Sequence, residues 1–183
     1  GGGRPYSFRA TVGFLAPEGI DFYIPKLVAA FPDKPLVVHF HNDFGLGAYN
    51  TVRALHHGAT VPTCTVNGLG ERAGNAPLHT TVMILKELYG ITIPGFRYDM
   101  LWALRRKVEE YSGLPVGASE PVIGHNVFSH ETGIHTAGIT IHPAIYQVIE
   151  PEAVGGRVRF LFGKHSGAIA IEAVLGRHKG ELA

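Results

Sequence analysis

Short apolar runs alternate with helical patterns through the first ninety residues, and this alternation restricts the possible folds more than any other feature. Arg9-Ala10-Thr11-Val12-Gly13 reads as the tail of a strand, whereas residues 1–8 are Gly-rich and carry no pattern. Pro17 suits the first turn of a helix, and Ile20, Ile24, Leu27, Val28 and Phe31 keep helical spacing behind it. Pro25 falls inside that pattern and should kink the helix or delay its start. Residues 36–41 read as a buried strand. A second helix is expected to turn Leu46, Tyr49, Val52 and Leu55 to one side and to end at Gly58. Residues 60–66 form a third strand-like run, and a third helix carries Leu78, Val82, Leu85 and Leu88 inward as far as Gly90. The connections are too long for hairpins, so the expected arrangement is a set of parallel βα units.

In such units the chemistry sits in the loops after the carboxyl ends of the strands. Val38-His39-Phe40-His41-Asn42-Asp43 ends the middle strand. Successive strand side chains face opposite ways, so His39 and His41 share one face and Phe40 points to the other. Two imidazoles on one face are either a hydrogen-bonded pair or the start of a divalent metal site, since imidazole suits the borderline metals. Thr11, His39, His41 and the loop 67–75 all fall at strand ends, and that coincidence favours the metal site. Cys64, one position before a strand end, reads as a small buried apolar residue rather than a nucleophile.

The character changes after Pro94. Leu101, Leu104, Val108 and Tyr111 mark a helix closed by Ser112-Gly113. Beyond Pro121 the sequence is dense in short motifs, and a last helix is expected over 168–175. We divide the chain at residues 1–93, incomplete βα units, and 94–183, a helical linker and small α-rich subdomain. The balance of 16 basic and 15 acidic residues, scattered rather than clustered, leaves no footprint for nucleic acid or an anionic membrane. No apolar run is long enough to span a bilayer. A single cysteine excludes an internal disulfide and fits a reducing, cytoplasmic setting. The chain opens Gly1-Gly2-Gly3 without Met, which suggests an excerpt or a processed piece.

Four motifs arrive in one order: His39-Phe40-His41-Asn42-Asp43, then Asn67-Gly68-Leu69-Gly70-Glu71-Arg72-Ala73-Gly74-Asn75, then His130-Glu131-Thr132-Gly133-Ile134-His135, then Gly163-Lys164-His165-Ser166-Gly167. Together they closely resemble the homocitrate synthase, 2-isopropylmalate synthase and citramalate synthase family, from about Thr11 to about Leu175. The resemblance implies an α/β fold, the carboxy-terminal part of a (β/α)8 TIM barrel followed by a small α-rich subdomain. It implies a condensation of acetyl-CoA with a 2-oxo acid, assisted by a divalent metal (Zn, Mn or Mg).

By the same resemblance His39 and His41 are metal ligands, and Asn75 is a third ligand or close metal neighbour. Thr11 matches a threonine that holds the 2-oxo acid carboxylate. His135 matches a histidine that the subdomain offers to the active site, usually across a dimer, and Tyr146 a tyrosine that joins it there. Glu71-Arg72 reads as a loop-fixing ion pair. Lys164 and His165 suit either a CoA phosphate or a helix-start turn. His56, His57, His79, His125, His142 and His178 read as surface or structural.

The pattern also departs from the family. Ala10 stands where an Asp is usual before the matched Thr, and Leu78-His79-Thr80 stands where Leu-Glu-Glu is usual. A complete barrel needs eight strands and about 250 residues. The strands expected to carry the family's metal-binding Asp, its adjacent Arg and its catalytic Glu have no counterpart in this chain. The expected state is therefore a homodimer or a pairing with an amino-terminal half: a split subunit, a fragment or a remnant. The end of the chain soon after the last motif leans towards the homocitrate or citramalate branch. A metal-dependent lyase of the same superfamily, cleaving a 3-hydroxyacyl-CoA, would share His39, His41 and Asn75. The motif at 130–135, Tyr146 and the Lys164 turn belong to the condensing branch. An inactive partner chain is the non-enzymatic alternative.

Overall fold

A computed structural model describes residues 5–10, 13–130 and 148–160. Thr11, His135, Tyr146, Lys164 and His165, together with the expected helix over 168–175, lie outside the described residues. The chain divides into two compact units, Gly1–Phe96 and Arg97–Ala183.

The first unit is a parallel three-stranded sheet in the order β1-β2-β3, with β1 at Tyr6–Ala10, β2 at Leu36–Phe40 and β3 at Val61–Thr63. Helix α1 (Pro17–Ala30) joins β1 to β2, and α2 (Gly47–His56) joins β2 to β3. Leu36, Val38 and Phe40 alternate along β2 and bury one face of the sheet with Ile20 and Ile24 of α1 and Ala54 of α2. Burying each such side chain contributes about 1.5–3 kcal/mol, so this face anchors the unit. Val37 and His39 are left on the opposite face. In that row the register sets Arg9 of β1 and Thr63 of β3 beside His39.

Several local expectations shift. β1 begins at Tyr6, inside the stretch 1–8 that carries no sequence pattern, because long-range contacts hold its start. Tyr6 pairs with Leu36, donates its hydroxyl to Leu27 O at 3.0 Å and packs its ring on Phe31. Helix α1 begins at Pro17 and runs continuously past Pro25 to Ala30, so its start is not delayed. On α2 the small residues Ala48, Thr51, Val52 and Ala54 are buried, whereas Tyr49 is exposed. Small side chains let the helix approach the sheet closely, and Asn50 Nδ2 ties it to Leu15 O at 2.8 Å. β3 is short, with Pro62 on an edge among the described strands, a position where a missing N–H costs no ladder bond. Helix α3 (Leu78–Met83) passes into a wide π turn at Ile84–Leu88. The extra residue in that turn rotates the stripe, so Val82, Met83 and Leu85 are buried and Leu88 is 70% exposed.

In the second unit, α4 (Leu101–Ser112) ends at Gly113, whose φ of 70° forms the expected left-handed cap. Its buried face is not the expected apolar stripe: Leu101 and Arg105 are buried, and Tyr111 is 75% exposed. The Arg105 guanidinium, 1% exposed, donates to Ile123 O at 2.8 Å and to Glu109 Oε1 at 3.1 Å. Trp102 Nε1 donates to Val122 O at 3.1 Å. These bonds hold Val122 at φ 69°, a conformation that costs a β-branched residue about 1–3 kcal/mol. Two short parallel strands, β4 (Ser129–His130) and β5 (Arg159–Phe160), complete the described part.

Candidate functional site

His39 and His41 come together as their spacing requires, with ring centroids 5.1 Å apart and planes at 82°. Asn75 joins them through the backbone. Asn42 N donates to Gly74 O and Ala76 N donates to Phe40 O, each at 2.9 Å, so the loop after β3 folds back along the end of β2. His41 and Asn75 form an isolated antiparallel bridge within this fold-back.

Two glycines make the fold-back possible. Gly74 has φ 88°, and a Cβ there would lie 2.0 Å from Gly68 O. A Cβ on Gly70 would lie 2.6–2.8 Å from the three amide atoms of Asn75, so the space beside Gly70 is where that amide sits.

The donor atoms fit a metal. His41 is 7% exposed, and its Nδ1 is buried without a hydrogen-bond partner. Asn75 Nδ2 donates to Leu69 O at 3.3 Å, which leaves Oδ1 free, and that oxygen is likewise buried and unpartnered. Buried polar atoms normally have partners, so one unpartnered atom on each residue of the His41–Asn75 bridge calls for a bound group. Burial holds the His39 imidazole below its ordinary pKa, with the charges of His41 and Arg9 adding to the effect. The neutral ring that results is the form that binds metal. Among the described residues no set of three His, Cys, Asp or Glu side chains is poised for a metal. Two imidazoles and an amide are thus a partial, uncharged donor set, to which a carboxylate or water would have to be added.

Around this centre the loops are clamped. Arg72 donates to both carboxylate oxygens of Asp43, at 2.8 and 3.0 Å, and holds that carboxyl below the usual range. Arg72 thus pairs with Asp43 and links two strand-end loops, with the Glu71 charge adding to its stabilisation. Gly13 touches the same carboxylate: a Cβ there would lie 2.4 Å from Asp43 Oδ2. Beside it an apolar cleft is lined by Gly13, Phe14, Leu15, Ala16, Phe44 and Leu46, with the Phe14 and Phe44 rings edge-on at 6.1 Å.

Cys64, His57, His79 and His125 lie in packed or paired surroundings. The Cys64 thiol is pushed up by burial, as befits an inert residue. His57 Nε2 lies 2.7 Å from Asp21, His79 is buried in α3, and His125 stands edge-on to Trp102. Sequence reasoning missed Thr63, whose hydroxyl lies 2.8 Å from His39 Nδ1. No motif marks it; only the β2–β3 register brings the two together.

Comparison with known proteins shows the family of the chain. Homocitrate synthase AksA of Methanopyrus kandleri is 44% identical over 165 residues, covering 90% of this chain and 41% of its own. A 2-isopropylmalate synthase of Sulfolobus acidocaldarius is 42% identical over 165 residues, with 90% and 42% covered. The crystal structure of a Bacillus subtilis HMG-CoA lyase superposes with a TM-score of 0.55 at 29% identity, over 61% of this chain and 39% of the lyase. The chain therefore spans about two-fifths of the length of each of these proteins. Residues 122–182 match the family described as homocitrate synthase post-HMGL domain-like. Residues 5–108, which hold the sheet, both histidines and the folded-back loop, match the family described as HMGL-like, and the chain belongs to that family.

Proposed function

We propose that this chain supplies the two-histidine side of an acyltransferase site that condenses acetyl-CoA with a 2-oxo acid, in the manner of homocitrate synthase. The observation that carries the reading is the pairing of the His39 and His41 rings beside the His41–Asn75 backbone bridge, with a buried unpartnered polar atom on each bridged side chain, at the carboxyl end of a parallel sheet. The similarity to proteins named homocitrate synthase and 2-isopropylmalate synthase supports the reaction class. In this reading β1, β2 and β3 are the last strands of a TIM barrel, and the division near residue 93 separates barrel from subdomain. The rest of the barrel, with the carboxylates that complete the site, comes from an amino-terminal half.

A divalent ion bound by His39, His41 and Asn75 would polarise the ketone of the 2-oxo acid. The chain's own side chains have the remaining work. Thr11 holds the substrate carboxylate by donating its hydroxyl. His135 removes a proton from the acetyl methyl group, a task that suits an imidazole near neutral pH. Tyr146 donates its hydroxyl to the oxygen on which charge develops. The Asp43–Arg72 clamp keeps the loop carrying Asn75 in place while substrates exchange. These three roles rest on the family resemblance of Thr11, His135 and Tyr146.

A cleaving reaction is the second reading, favoured by the likeness to HMG-CoA lyase. The match of residues 122–182 to a homocitrate-synthase-type domain favours condensation. Free-thiol release from acetyl-CoA, with Mn²⁺ or Zn²⁺ and 2-oxoglutarate, 2-oxoisovalerate or pyruvate, tests the choice. It is run with and without the amino-terminal half of a full-length relative. Turnover with one 2-oxo acid, in the presence of that half, is the expected result. Cleavage of a 3-hydroxyacyl-CoA without condensation would establish the second reading, and silence in every combination would contradict both.

A further inference from the structure

We infer that Thr63 is a positioning residue that fixes the tautomer of His39 and thereby presents His39 Nε2 as the free lone pair. Thr63 Oγ1 lies 3.0 Å from Val38 O and 2.8 Å from His39 Nδ1. A carbonyl oxygen only accepts, so the single hydroxyl proton of Thr63 must point to Val38 O. Towards His39 the same oxygen then acts as acceptor, and His39 Nδ1 must carry the ring proton. The opposite tautomer would set the hydroxyl proton against His39 Nδ1 and leave the two oxygens at 3.0 Å with no proton between them.

The arrangement is built by the sheet. Register pairs Thr63 directly with His39 across β3 and β2, and the hydroxyl's second bond runs to the peptide carbonyl that precedes His39. Thr63 is thus locked to the same strand whose side chain it orients. A metal-binding histidine commonly gives its other N–H to a carboxylate, carbonyl or water, and that partner sets ring orientation and basicity. Here a hydroxyl takes the place, relayed to the backbone. The inference rests on the metal-site reading above, but its structural content is independent of it.

The test uses the full chain, labelled with ¹⁵N at histidine and free of metal, above the titration range of His39. The expected spectrum shows His39 with protonated Nδ1 and bare Nε2. Thr63→Val keeps the branched shape and removes the acceptor, so the His39 tautomers should mix, and Mn²⁺ or Zn²⁺ affinity should fall by about 10- to 100-fold. Thr63→Ser restores the hydroxyl and should return both readings close to wild type. A wild-type spectrum with the proton on Nε2 overturns the inference, as does a folded Thr63→Val chain with unchanged tautomer and affinity. His39 in the expected tautomer in a chain that takes up no metal supports the Thr63 assignment and defeats the metal reading alone.

Discussion

Gly70→Ala separates the proposed metal site from the fold, because the new methyl would meet a side chain rather than the backbone. Its Cβ would stand 2.6 Å from Nδ2, 2.7 Å from Cγ and 2.8 Å from Oδ1 of Asn75. Ordinary contact distances begin near 3.5 Å, so the amide must retreat by about 0.8 Å. Gly70 is not among the glycines with positive φ, so alanine adds no backbone strain. The bond from Asn75 Nδ2 to Leu69 O, at 3.3 Å, is lost with the movement. A hydrogen bond of this kind is worth about 1 kcal/mol, which lowers Tm by about 2–4 °C in a chain of this size. Coordination tolerates displacements of only about 0.2 Å, so the amide leaves ligand range and metal affinity should fall about 10- to 100-fold. Calorimetric titration with Mn²⁺ or Zn²⁺, beside a thermal melt of the metal-free chain, gives both numbers. A variant that melts as expected but binds metal as tightly as wild type would refute the placement of Asn75 at the metal.

Gly74→Ala should behave in the opposite way, since φ 88° and an approach of 2.0 Å to Gly68 O leave no room for a Cβ against backbone. A melt should show loss of the cooperative transition or a large drop in Tm, where Gly70→Ala costs only a few degrees. Arg72→Lys removes the bidentate clamp on Asp43, so hydrogen exchange should quicken across residues 67–75 and leave β2 unchanged. Asp21, held at about 2 by Arg53 and His57, joins α1 to α2. Its folded pKa lies below the ordinary 3.8, so its contribution is complete above that value and is lost as pH falls from there towards 2. Asp21→Asn should lower stability at neutral pH and flatten the pH dependence of Tm across that window.

The two-histidine face was legible because strand alternation is local: His39 and His41 needed only the two-residue period. Asn75 was legible only through its motif, since the backbone bonds from Asn42 to Gly74 and from Ala76 to Phe40 are long-range. Thr63 was invisible for the same reason, as its partner is set by inter-strand register. Helix faces misled where apolar spacing was taken as sufficient. Tyr49 yielded to small residues that pack closer to the sheet, and Leu88 was turned outward by the π turn. Arg105 is buried because Ile123 O, Glu109 and the Trp102 ring compensate its charge, which spacing alone does not reveal. The start of β1 was hidden by its Gly-rich flank and becomes a strand only against Leu36 and Val38.

The central claim is that His39 and His41 hold a divalent ion, and metal stoichiometry tests it most directly. The full chain, combined with the amino-terminal half of a full-length relative, loaded with Mn²⁺ or Zn²⁺ and dialysed, is compared with His39→Ala and His41→Ala by elemental analysis, each variant first shown to be folded. The account predicts one retained equivalent in wild type and its loss in both variants. Equal metal content in all three chains would contradict it.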